Sequence, residues 1–297
     1  LARQGIFLEE TIRVLGKNRL PDEELTNQHM DIAKSAQVVL EEVLFHMVNH
    51  LYNETKIDKL CLAGGVALNC VANGKLLENT PFSQIFIQPA AGDAGLAIGA
   101  AYYVWHQILD KPRDFVMEHA YWGPSYDSKD ISVELKATSE GLNKQGYRMT
   151  QIQDEEELCR RTAKEIADGK IVGWFQGRME WGPRALGNRS ILVDPRREDM
   201  KDILNKRIKY REPFRPFAPS VLEEDREDYF ENFYPSPFML FAYKVKEEKK
   251  RLIPAVVHID GTARIQTVSK KTNPLFWQLI DEFKKITGIP VLLNTSF

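Results

Sequence analysis

The chain has 297 residues and a net charge of -2, with 43% hydrophobic and 28% charged residues. This composition suits a globular protein of two modest domains or one large one. It argues against a general nucleic-acid binder, which would be basic over a whole face, and no apolar run approaches the ~20 residues needed to span a bilayer. The cysteines Cys61, Cys70 and Cys159 are scattered. That argues against a disulfide framework and fits a reducing cytoplasm.

Residues 1–27 read as a short helix and a polar connector. From His29 to Asn53 the residues Ile32, Ala36, Val39, Leu40, Val43, Leu44, Met47, Val48 and Leu51 fall at spacings of three and four. This predicts a helix with an apolar stripe that packs on a sheet. His46 and His50 are four apart on it, a spacing that suits a metal, but no acid lies between them and they read as core or edge histidines.

Lys59-Leu-Cys-Leu-Ala63 reads as a strand feeding Gly64-Gly65, with a helix from about Ala67 to Leu77. Glycines at such a turn let an anion approach a helix N-terminus, and Asn69 can hydrogen-bond a nucleotide. The alternative is a tight turn that needs glycine for packing alone. Gln84-Ile-Phe-Ile-Gln88 is the next strand, ending in Pro89-Ala-Ala-Gly-Asp93-Ala-Gly95 before an Ala-rich helix to about Trp105. Asp93 can cap that helix or ligate a divalent metal beside a phosphate. Residues 111–146 read as a linker with a helix over 132–145, and Asp154 caps a helix that ends before Gly169.

The strand Lys170-Ile-Val-Gly-Trp-Phe175 opens the most informative stretch, Gly177-Arg178-Met-Glu180-Trp-Gly182-Pro-Arg184-Ala-Leu-Gly187-Asn-Arg189-Ser190. A second basic segment runs from Lys206 through Lys209-Tyr-Arg211-Glu-Pro-Phe-Arg215 to Pro219. Gln176 to Arg215 holds eleven Lys or Arg against six Asp or Glu. Positive charge gathered on glycine and proline loops reads as a pocket for a phosphorylated small molecule. Arg184, Arg189, Lys209 and Arg215 are its leading residues, with Arg178 and Ser220 weaker. Lys201, Lys206, Arg207, Arg196 and Arg197 read as surface or structural charges. Arg264 follows a turn in an alternating strand and can cross the pocket floor, and Asn294 ends a Val-Leu-Leu strand. Phe214, Phe217, Phe230, Phe233, Tyr234, Phe238 and Phe241 read as core.

The two basic stretches, Leu60-Cys-Leu-Ala-Gly64-Gly65-Val-Ala-Leu-Asn69 and Gln88-Pro-Ala-Ala-Gly-Asp93-Ala-Gly95 together resemble the NodU/CmcH/TobZ type of O-carbamoyltransferase, found in nodulation and antibiotic biosynthesis. The likeness runs from about Asp31 to Phe297. It implies an α/β chain with a partial actin-like (ASKHA) domain over 1–115, a linker over 116–149 and a YrdC-like twisted-sheet domain over 150–297. It implies that ATP, with Mg²⁺, and carbamoyl phosphate give carbamoyl-adenylate, from which the carbamoyl group moves to a sugar-like or natural-product hydroxyl. Lys209, Arg215 and Arg184 would serve that chemistry. Arg178, Arg189, Ser220, Arg264, Asn294, Gly64, Gly65 and Asn69 would bind nucleotide or substrate. Asp93 would ligate a metal such as Fe²⁺ with a histidine pair from an upstream segment. The same resemblance makes both ends read as cut, since Leu1 is not Met and Phe297 falls inside a motif. Alternatives are a relative of the threonylcarbamoyl-adenylate tRNA-modification enzymes and a nucleotide-binding fragment without activity. The partners expected are small molecules, with neither nucleic acid nor membrane, and an exposed apolar edge would favour a homodimer.

Overall fold

The computed structural model describes residues 9–20, 22–232 and 234–297. Residues 1–8, Pro21 and Phe233 lie outside the described residues. The chain divides into two compact units: one runs to Asp58 and includes Leu76–Ser83, the other takes Lys59–Lys75 and Gln84–Phe297. None of the described helices is long and apolar enough to cross a membrane.

The first unit is built on the helix Asn27–Thr55. Thr26 and His29 cap its start, and Lys56 ends it in the left-handed conformation, donating its N–H to the Tyr52 carbonyl at 2.7 Å. Tyr52 meets Phe82 edge-on at 5.8 Å. The apolar stripe is only partly covered. Val48 is buried, while Val39, Val43, Met47 and Leu51 are exposed. Within this unit a four-residue helix, Leu76–Asn79, and Phe82 supply too little surface to cover a 29-residue helix. His46 and His50 are exposed, not core.

The second unit holds two sheets. Strands β1 (Lys59–Leu62) and β2 (Gln84–Ile87) pair in parallel. The predicted helix from 67 to 77 is instead broken, into a 3-10 turn Gly65–Leu68 and a five-residue helix Cys70–Gly74, with Leu76–Asn79 beyond. The break falls at Asn69, whose side chain accepts the Ala72 N–H at 3.1 Å and starts a new helix. Cys61 is exposed.

The larger sheet has six strands: β3 (Val172–Phe175), β4 (Arg189–Val193), β5 (Ala218–Leu222), β6 (Phe241–Lys244), β7 (Thr262–Val268) and β8 (Val291–Thr295). Their order is β3-β4-β8-β5-β7-β6, antiparallel except for the β5/β7 pair. Every residue of β4 and β5 is buried, as expected where both faces are covered. The helices Glu155–Ala167 and Pro274–Thr287 pack together against it. They bury Cys159, Ala163 and Ile166 against a set that includes Phe276, Leu279, Ile280 and Phe283. The helix Cys70–Gly74 lies on β6, so close that a Cβ on Gly74 would stand 2.0 Å from the Ala242 carbonyl oxygen. The aromatic cluster is core at Phe217, Phe230, Phe238 and Phe241, but Phe214 is exposed.

Candidate anion-binding site

The loop between β3 and β4 is held shut at its mouth. The Gln176 N–H donates to the Asn188 carbonyl at 3.1 Å, and the two side-chain amides bond at 2.9 Å. The Arg189 guanidinium donates to the carbonyls of Gln176 (2.6 Å), Asn188 (2.8 Å) and Gly177 (3.1 Å) and stacks 3.5 Å over the Phe175 ring. Arg189 thus ties the loop together. Arg178 does similar work, donating to Gly123 and Trp122 carbonyls at 2.9 Å each. Two glycines shape the loop. Gly182 has φ +119° and passes Pro89 so closely that a Cβ would stand 2.6 Å from its carbonyl oxygen, and Gly187 has φ +101° against the Phe276 ring.

Arg184 projects from this loop toward Arg264 of β7. Neither guanidinium makes a hydrogen bond or ion pair among the described residues, and the Nε of each is buried without a partner. Burial, and then the charges of Arg184 and Arg211, pull Arg264 down to about 10. Burial also lowers Arg184. The Cys70 thiol is the one other group whose charge acts on both arginines. Cations gathered without carboxylates are costly in a free protein, and an anion relieves that cost.

Arg211 stands at the edge of this group. Its Nε donates to Asn205 Oδ1 at 2.7 Å, and its guanidinium lies 4.7 Å over the Phe217 ring. Lys209 is lowered by burial and by Arg211, and its Nζ donates to the Ser296 carbonyl at 2.5 Å. Arg215 is exposed and paired with Glu212 at 2.8 Å. Ser220, Gln266 and Asn294 form a buried cluster from three neighbouring strands. Ser220 Oγ donates to Gln266 Oε1 at 2.6 Å, and Asn294 Nδ2 donates to Ser220 Oγ at 3.0 Å. Gln266 Nε2 then donates to the Leu186 carbonyl at 2.8 Å and Asn294 Nδ2 to the Ala185 carbonyl at 3.1 Å. They fix the residues that follow Arg184.

Gly64 has φ +97° and donates its N–H to the Ala91 carbonyl at 2.7 Å. A Cβ on Gly64 or Gly65 would meet nothing within 4 Å, so the space beside this turn is open. Gly64 and Asp93 line a cavity of about 690 Å³ with Phe86, Gln88 and Tyr102. Asp93 is exposed, at the start of a three-residue turn. No group of three or more His, Cys, Asp or Glu converges on a metal site among the described residues. Sequence reading missed Glu180, Gln266 and Arg211 as site residues. Glu180 and Arg211 were visible inside the two basic motifs, whereas only the strand register reveals Gln266.

The fold and site define an α/β protein in which a loop arginine, Arg184, and a strand arginine, Arg264, stand without a carboxylate, an arrangement suited to phosphorylated ligands. Comparison with known proteins gives its family. Residues 3–102 match the description "Carbamoyltransferase N-terminus" and residues 163–297 match "Carbamoyltransferase C-terminus". Among curated relatives, nodulation protein NolNO of Sinorhizobium fredii is 49% identical over 301 residues, covering 100% of this chain and 42% of the relative. Nodulation protein NolO of Bradyrhizobium diazoefficiens is 47% identical, covering 100% of this chain and 53% of the relative. An uncharacterised Synechocystis protein is also 47% identical, over 94% of this chain and 48% of its own length. The chain belongs to the carbamoyltransferase family. It spans about half the length of these relatives.

Proposed function

We propose that this chain carries the carbamoyl-activating part of an ATP-dependent O-carbamoyltransferase. On this reading the six-stranded region is a YrdC-like domain and the β1/β2 region with Gly64-Gly65 belongs to an actin-like one. Water first converts carbamoyl phosphate to carbamate and phosphate. A carbamate oxygen attacks the α-phosphorus of ATP, the bond to pyrophosphate breaks, and carbamoyl-adenylate forms. An acceptor hydroxyl, sugar-like or of a natural product, then attacks the carbamoyl carbon, AMP leaves, and the hydroxyl proton passes to solvent.

The observation that carries this reading is the Arg184–Arg264 pair, on which no carboxylate acts among the described residues, with Arg211 as a third cation beside it. Charge in such a reaction develops on phosphate oxygens and on the leaving pyrophosphate. Fixed guanidinium forks stabilise it better than a general base would. Lys209 adds a further cation beside Arg211. Mg²⁺ would accompany the triphosphate as part of the substrate. Asp93 offers one exposed carboxylate, and the described residues supply no completed metal-ligand group around it, so no step here runs through a resident metal.

The test is pyrophosphate release with ATP, Mg²⁺ and carbamoyl phosphate, in the wild type and in Arg184→Ala and Lys209→Ala. Release that needs carbamoyl phosphate and is lost in Arg184→Ala is the expected result. Undiminished release in Arg184→Ala would place the chemistry elsewhere.

A further inference from the structure

Glu180 is the one acidic residue between Gln176 and Arg189. It lies four positions before Arg184, a placing that would ordinarily suggest an ion pair. The structure does otherwise. Glu180 Oε1 accepts the backbone N–H of Leu186 at 2.7 Å, of Asn188 at 2.9 Å and of Arg189 at 3.2 Å. Its charge acts on Arg189 and Tyr121, and it is absent from the charges acting on Arg184. The loop's only carboxylate is therefore turned onto the backbone.

This arrangement has two effects on Arg184. The carboxylate joins the start of the loop to the residues just past Arg184, closing a ring with Arg184 inside it. Three charge-assisted bonds on one oxygen make a stiff closure. The far side of the ring is pinned by the Tyr121 hydroxyl, which donates to the Leu186 carbonyl at 2.9 Å, and by Gln266 on the same carbonyl at 2.8 Å. The second effect is electrostatic. Held through Oε1 on these backbone donors, Glu180 is kept from pairing with Arg184, whose charge stays unneutralised opposite Arg264.

We propose that Glu180 is a positioning residue for Arg184: it sets both the place of that guanidinium and its freedom from a competing carboxylate, and so sets the affinity of the site for phosphate oxygens. The proposal rests on the anion-site reading above. It concerns a residue that touches no ligand and acts only through the loop.

A double-mutant cycle tests it, with ATP and inorganic pyrophosphate as probes, read by calorimetry and accompanied by thermal unfolding. Glu180→Gln keeps the size and one acceptor oxygen but removes the charge. We expect it to weaken both probes about tenfold, the scale of a lost charge-assisted contact. Arg184→Ala should weaken them by about ten- to a hundredfold. The double variant should bind about as weakly as Arg184→Ala alone, because the second change acts only through the first. A double variant weaker by the full product of the two single effects would overturn the proposal. So would Glu180→Gln with a lowered melting temperature but unchanged affinity in its folded fraction, the outcome of a merely structural role. Should Glu180→Gln not fold, Glu180→Asp enters the same cycle: it keeps the charge but is a methylene short of the three N–H groups, and its effect should again vanish in the Arg184→Ala background. If Arg184→Ala itself leaves both affinities unchanged, the anion-site reading fails, an outcome distinct from failure of the Glu180 role.

Discussion

Arg264 lies close enough to Arg184 for the two guanidinium charges to oppose one another, and the Nε of each is buried without a hydrogen-bond partner. The free protein carries this repulsion as a cost. Replacing Arg264 by an uncharged residue of similar length, Arg264→Met, should therefore stabilise the free protein by about 1–3 kcal/mol while abolishing anion binding. Thermal unfolding and calorimetry with ATP check the two halves together. A variant that is both less stable and unable to bind would mean that Arg264 is structural.

The same pair sets a pH dependence. The folded-state value of Arg264 is depressed to about 10, first by burial and then by Arg184. Its charge therefore opposes folding below that pH, and the cost fades as pH rises through about 10 toward the ordinary arginine value. Anion binding has the opposite sign, since it needs the protonated form. ATP affinity should hold steady from neutral pH and fall above about 10, with Lys209, also depressed by burial, adding to the fall. Binding constants measured against pH check this, and Arg264→Met should remove the step that Arg264 contributes.

An anion that bridges Arg184 and Arg264 should also stabilise the folded state by mass action, by about 2.7 kcal/mol at a hundred times its dissociation constant. ATP or pyrophosphate should raise the melting temperature of the wild type and leave that of Arg184→Ala nearly unmoved. An equal rise in both would place the bound anion elsewhere.

How much of this was legible in the sequence differs between elements. The strands at 59–62, 84–87 and 172–175 and the helix Glu155–Ala167 stood close to their patterns, because apolar runs and caps are local signals. The break at Asn69 was not legible, since a new cap inside an apparently continuous helix depends on a single side-chain bond. In the site, the glycine and proline loops marked Arg184, Arg189 and Arg215 as leading residues but gave these three the same weight. The structure separates them by what their donors meet: backbone carbonyls for Arg189 and Arg178, a carboxylate for Arg215, and for Arg184 no partner among the described residues, with another cation opposite. That distinction is a matter of tertiary geometry, which charge counts do not carry. The exposed stripe of Val39, Val43 and Met47 shows the converse, a pattern that specifies an apolar face without specifying its cover.

Gly187 offers a test of the loop independent of charge. Its φ of +101° and a Cβ position 2.1 Å from the Phe276 ring leave no room for a side chain. Gly187→Ala should strain the backbone and displace a fully buried aromatic at once. A loss of about 2–4 kcal/mol is expected, since overpacking and left-handed strain each cost on the order of 1–3 kcal/mol. Denaturant unfolding measures it, and a loss below about 1 kcal/mol would show that the loop and Phe276 yield easily.

Two helix ends in this chain use one geometry with different residues. Gly288 closes the helix Pro274–Thr287 at φ 76°, donating to the Lys284 carbonyl at 2.7 Å. Lys56 closes Asn27–Thr55 at φ 55°, donating to the Tyr52 carbonyl at the same 2.7 Å. A side chain in this conformation costs about 1–2 kcal/mol, against about 0.5–1 kcal/mol for the greater freedom that glycine loses on folding. Lys56→Gly should therefore stabilise its unit by about 0.5–1 kcal/mol, less what is lost with the Lys56 ammonium 5.6 Å above the Tyr52 ring. Gly288→Ala should do the reverse by a similar amount, and purely through the backbone, because a Cβ there meets nothing within 4 Å. Chemical denaturation of both variants decides the matter. Opposite signs are expected, and equal signs would mean that side-chain contacts, not the left-handed cap, govern these ends.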